Sequence, residues 1–187
     1  MKTFLAITAA ALSAVSAFAA GEVRVDLFGT VEIKDLAAKP VLTAHRFAHY
    51  KGKPMEMKSA MFLSKPLTDQ WQEFEFSFVP EKDGKVSILF HVPGSKNKAN
   101  IKPILVDDVK TTGAELENGG FELLKQDGKV SGWSLRKLAE FVTGDDAAEG
   151  KNCVKVSHSD GAAAQEIKVR GGEKVVVTFK AKLAPAK

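Results

Sequence analysis

The chain has 187 residues, with 27 Lys and Arg against 23 Asp and Glu, a formal net charge of +4, and a single cysteine, Cys153. A charge this small, carried by scattered lysines that are not interleaved with aromatics, argues against a nucleic-acid partner. One cysteine excludes an intramolecular disulfide, and a chain of this length can build a core that needs none.

The first element is a secretory pattern. Lys2 supplies a positive start, and residues 4–17 form an apolar run broken only by Thr8, Ser13 and Ser16. Ala17-Phe18-Ala19 is then a small-x-small cleavage site. The run is shorter than the ~20 apolar residues of a bilayer helix. Residues 1–19 are therefore expected to be a signal peptide, residues 20–187 a single domain, and the protein secreted or periplasmic. No second stretch is long and apolar enough to span a bilayer, so no stable membrane insertion is expected.

Downstream the dominant signal is a period of two. Val23, Val25 and Leu27 alternate with Arg24 and Asp26, and Phe74, Phe76 and Phe78 with Glu73, Glu75 and Ser77. Val86, Ile88 and Phe90 alternate with Ser87 and His91, Ile167 and Val169 with Glu166 and Lys168, and Val175, Val177 and Phe179 with Thr178 and Lys180. Each run predicts a strand with one buried and one solvated face. Turn signals such as Glu81-Lys82-Asp83-Gly84, Gln126-Asp127-Gly128 and Gly171-Gly172 separate them. Many short strands with such turns predict an all-β fold, a two-sheet β-sandwich or jelly roll. Leu135, Leu138 and Phe141 have helical spacing instead, which leaves open one or two helical turns or a bulged strand. Cys153 lies in the strand-like run Asn152-Cys153-Val154-Lys155-Val156 and is expected to be buried and inert.

Two sets of motifs go beyond periodicity. One is Trp71-Gln72-Glu73-Phe74, followed by Leu105-Val106-Asp107-Asp108-Val109. The other is Asn118-Gly119-Gly120-Phe121-Glu122, then Gly132-Trp133, then Gly171-Gly172 and the strand ending in Lys180-Ala181-Lys182. Together these resemble the galactose-binding-like jelly rolls of carbohydrate-binding module families four, nine and twenty-two. The pieces stand in exchanged order, since in that group the Asn-Gly-x-Phe-Glu element opens the domain and the Asp-Asp-Val strand closes it. Two explanations fit this order: a circular permutation, or a chain that carries the tail of one module and the head of another. Permutation is the favoured one, because the two halves together supply one set of strands, and it implies a sheet in which residues 175–180 neighbour residues 23–28.

The resemblance implies non-catalytic binding of a glycan or polysaccharide. It also implies a structural calcium held by Glu122 with Asp107 or Asp108; the alternative is that these carboxylates cap turns or pair with Lys110 or Lys125. For the sugar, Trp71 and Tyr50 are the candidate stacking residues, and Arg46 and His91 the candidate polar partners. Arg46 and Tyr50 share one strand parity, and Trp71 has the parity opposite to Phe74, Phe76 and Phe78. Trp133, after a glycine, is expected to plug the core. His45 and His49 lie about 13 Å apart if extended, too far for one zinc. The chain lacks Gly-x-Ser-x-Gly, His-Glu-x-x-His and P-loop patterns, so it is not expected to be an enzyme. The competing function is an envelope sandwich with a structural or protein-interaction role and no sugar site.

Overall fold

The structure is a computed structural model. It describes residues 21–39, 66–93, 101–157 and 161–185, together with the backbone of four strands between residues 42 and 63. The signal-peptide expectation for residues 1–19 and the Arg46 assignment lie outside the described residues, as does the side chain of Tyr50.

The described residues form strands and no helix. The strands are β1 (Arg24–Gly29), β2 (Ile33–Lys39), β3 (Leu42–His45), β4 (His49–Tyr50), β5 (Lys53–Pro54), β6 (Ser59–Leu63), β7 (Gln72–Pro80) and β8 (Gly84–His91). They continue with β9 (Ile104–Thr112), β10 (Ser134–Arg136), β11 (Ala139–Thr143), β12 (Asn152–Val156), β13 (Ala162–Val169) and β14 (Val175–Leu183). Two six-stranded antiparallel sheets result, in the orders β10-β13-β8-β1-β6-β3 and β11-β12-β9-β14-β7-β2, with β4 and β5 as a separate pair. The fold is an all-β sandwich. Residues before and after position 115 contribute strands to both large sheets.

The period-two runs account for the interior. Phe74, Phe76 and Phe78 of β7 and Val175, Val177 and Phe179 of β14 are all buried. They are also cross-strand partners, Phe74 with Phe179 and Phe78 with Val175. Val86, Ile88 and Phe90 of β8 and Val25 and Leu27 of β1 supply the facing layer. Phe179 joins the layers, with ring centroids 4.8 Å from Phe90 in the opposite sheet and 5.2 Å from Phe74 in its own. Each fully buried side chain of this size contributes about 1.5–3 kcal/mol of transfer free energy.

Successive strands change sheets: β7 lies in the second, β8 in the first, β9 in the second again, and β12, β13 and β14 repeat that alternation. This exchange overturns the expected neighbourhood of residues 175–180 and 23–28. Strand β14 is flanked by β7 and β9, and β1 by β6 and β8, in different sheets. The edges of both strands are filled, so neither has a free hydrogen-bonding side for the other. The ends of the described chain do meet: Leu67 N–H donates to Gly21 O, and Leu183 N–H to Thr68 O. Residues 135–141, whose spacing was helical, form β10, a turn and β11. Leu135 and Phe141 pack against the core, while Leu138 is exposed in the turn.

Candidate functional site

The outward side of the first sheet carries a buried charged group. Strand parity sends Val25 and Leu27 inward and Arg24 and Asp26 outward. Arg24 and His91 are cross-strand partners, and Asp26 is paired with Leu89. The register therefore gathers the three side chains. Arg24 Nε donates to Asp26 Oδ1 at 2.7 Å, and His91 Nε2 lies 2.7 Å from Asp26 Oδ2. The imidazole tautomer sets which of the two donates. Asp26 is only 4% exposed and His91 9%. Beside them Leu89, Ala162 and Ala164 form a buried apolar cluster, with Phe28 packed against it. The arrangement places a guanidinium, a carboxylate and an imidazole next to an apolar floor of small side chains.

The acidic residues of the second sheet are organised by the loop between β11 and β12. Asp107 is fully buried. Its Oδ2 accepts from the N–H groups of Ala148 and Glu149, and its Oδ1 from Asp108 N–H. Burial pushes the Asp107 carboxyl above its ordinary value, against the lowering effect of those hydrogen bonds. Asp108 stands at a β-bulge. Thr178 pairs with Lys110 and Lys180 with Asp107, so Asp108 and Val109 together oppose Phe179. Asp108 takes φ 51° there, a left-handed conformation that Asp tolerates better than most residues. The bulge keeps Val109 in the core and delivers Asp108 to Lys110 at 2.6 Å and Lys180 at 3.0 Å. Burial raises the Asp108 carboxyl, but hydrogen bonds from the two lysines prevail and hold it below the ordinary value.

Glu122 caps the far end of the same loop. Its Oε1 accepts from Lys151 N–H and Asn152 N–H, and its Oε2 from the Asn152 side-chain amide. A Cβ at Gly150, where φ is +66°, would strike this carboxylate, so glycine is required at that turn. Glu122 and Asp107 thus cap turns, and Asp108 pairs with Lys110 and Lys180. The donor set does not fit a calcium ion. Five N–H groups of the loop and its neighbouring strand ends point their hydrogens at Glu122 and Asp107 oxygens, where a cation would meet positive charge. Among the described residues no three His, Cys, Asp or Glu side chains stand together as a metal-ligand group.

The aromatic candidates separate. Trp133 is in the core against Phe121 at 4.9 Å and Phe90 at 6.1 Å, and its Nε1–H donates to Asn118 O. Trp71 is half-buried just before β7, with Lys182 Nζ 5.0 Å from its ring centroid. Trp71 leads into β7 of the second sheet, whereas His91 ends β8 of the first. Cys153 is buried, and desolvation, with Asp107 and Asp146 nearby, pushes its thiol up to about 12.

Sequence reasoning placed His91 correctly on the outward side of its strand but took Arg24 and Asp26 for a solvated face. It also missed Lys180 as an acid partner. The Arg-x-Asp spacing on a strand puts both charges on one side; a register to β8 was needed to bring in His91. In comparisons with protein-family models, curated proteins and solved structures, none matches this chain.

Proposed function

We propose that this chain is a non-catalytic carbohydrate-binding sandwich of the galactose-binding-like kind. Its glycan site is the outward side of the first sheet, at Arg24, Asp26 and His91. The observation that carries this reading is the buried Arg24–Asp26–His91 group set beside Leu89, Ala162 and Ala164. A sugar offers C–H faces and paired hydroxyls, so its site needs an apolar floor and a few fixed planar polar groups. Asp26 fixes both neighbours: it holds the Arg24 fork through Nε and the His91 ring through Nε2. The exchanged motif order is read as a circular permutation, supported by the meeting of Gly21 and Leu183 across residues 67–68. Action outside the cytoplasm rests on the secretory pattern of residues 1–19.

The test is a glycan array on the chain lacking residues 1–19, repeated with His91→Ala. Retention of one glycan class by the unaltered protein, lost at least tenfold in the variant, is the expected result. Retention that survives His91→Ala and Asp26→Asn would move the site elsewhere.

A second reading is a protein-interaction or structural sandwich at the envelope. The disposition of the aromatics favours it: Phe74, Phe76, Phe90, Phe121, Trp133 and Phe179 are spent on the core, and Lys182 sits over Trp71. A blank array from a folded protein is its expected outcome.

A further inference from the structure

We infer that two lysine ammonium groups and a set of backbone N–H groups fasten the β11–β12 loop without metal, at the place where the family resemblance implies a calcium ion. The loop brings Glu149 over the bulge in β9. Lys180 Nζ lies 3.0 Å from Asp108 Oδ2 and 3.2 Å from Glu149 Oε1. Lys110 Nζ lies 2.6 Å from Asp108 Oδ1 and 3.8 Å from the same Glu149 oxygen. Two unit charges thus bridge two carboxylates, one on the sheet and one on the loop, as one divalent ion between them would. Lys182 adds a parallel link to Asp146 at 3.0 Å.

The remaining carboxylates use amides. Asp107 receives Ala148 and Glu149 N–H, and Glu122 receives Lys151 and Asn152 N–H. Four N–H groups from residues 148–152 therefore end on acids for which the family resemblance implies calcium. Hydrogen bonds to an ionised acceptor are the strong ones, and these lie where Leu105 and Cys153 are buried on the outward parity of the second sheet. The bulge is the enabling feature. Without the extra residue at Asp108, Lys180 would face a different position of β9.

The test is amide hydrogen exchange at Ala148, Glu149, Lys151 and Asn152, with thermal melting, in chelator and in millimolar calcium. Exchange and melting temperature should be the same in both. Lys180→Gln should speed exchange at Ala148 and Glu149 at least several-fold while leaving the core strand β8 protected. High monovalent salt should speed it in the same direction, since the ammonium links reach solvent. Two results overturn the inference: a calcium-dependent rise in melting temperature of the unaltered protein that Glu122→Gln removes, or unchanged loop exchange in Lys180→Gln. The comparison of chelator with calcium uses the unaltered chain, so it stands even if the variant fails to fold. It is also independent of glycan binding.

Discussion

On the outward side of the first sheet, Asp26 is held by two side chains of its own sheet, Arg24 and His91. On the outward side of the second, Asp107 is held by backbone N–H groups of a loop, and Asp108 by lysines from β9 and β14. Both faces bury carboxylates, and a buried carboxylate must be compensated. The compensation differs in what it immobilises. Side chains on paired strands are already fixed by register, so the first face gains a rigid, largely buried polar group. Loop amides are not fixed beforehand, so the second face uses its acids to shape a loop. Under the proposed function the first arrangement serves recognition and the second serves architecture.

The two faces share one core, and Phe179→Ala shows how far they depend on it. Its ring lies against Phe74, Phe76 and Phe90, so truncation should cost about 3–5 kcal/mol, the usual loss for a core aromatic. Urea unfolding checks this, and both faces should fail in one transition. Separate transitions for the loop and the His91 face would show that the faces are independently stabilised.

Acid titration separates the two faces more finely. Asp26→Asn leaves a buried group imperfectly paired with Arg24 or His91, and should cost about 1–3 kcal/mol in urea unfolding at neutral pH. Asp108→Asn should cost less, below about 1 kcal/mol, because the lysine links reach solvent. It should also carry a pH signature. The Asp108 carboxyl is held below the ordinary 3.8 in the folded state. Its contribution is therefore present above that value and lost as pH falls through the folded one. The gap between the unaltered protein and Asp108→Asn should close in that acid range. Asp107 runs the other way. Burial raises its carboxyl above 3.8, so the folded state takes up that proton first and loses stability as pH rises through the folded value. Carboxyl carbon shifts followed by NMR should show Asp107 titrating at higher pH than Asp108. The reverse order would mean that the lysines do not hold Asp108.

Much of the interior was legible from alternation, because a half-buried strand writes its two faces into successive residues. Phe74-x-Phe76-x-Phe78 and Val175-x-Val177-x-Phe179 have the burial that their parity demands. Trp133 and Cys153 are buried as expected. Sheet membership was not legible, since residues 175–180 and 23–28 read alike as strands and only long-range pairing assigns them to different sheets. The same limit hid Asp26. Its alternation signalled a solvated face, whereas the carboxylate is buried and bonded to Arg24 and to His91 of the neighbouring strand. The loop of residues 144–151 was the least legible part. Its function in the fold rests on backbone N–H groups, which every residue except proline has, and on a one-residue bulge that alternation does not announce.

The smallest expected effect tests whether the two faces have been given the right roles. Trp71 stands on the second face, where Lys182 lies over its ring and is also tied to Asp146. A cation–π contact of this partly exposed kind contributes about 0.5–1 kcal/mol. Trp71→Ala should therefore lower stability by about that amount, well short of the loss at Phe179, and thermal melting beside Lys182→Met can measure the shared part. Glycan retention should be unchanged, because Trp71 leads into β7 of the second sheet and the Arg24–Asp26–His91 group is on the first. If Trp71→Ala keeps its fold but loses the glycan, the sugar stacks on the second face. Lys182 would then be a ligand contact, and the recognition role would belong to the side of the sandwich assigned here to architecture.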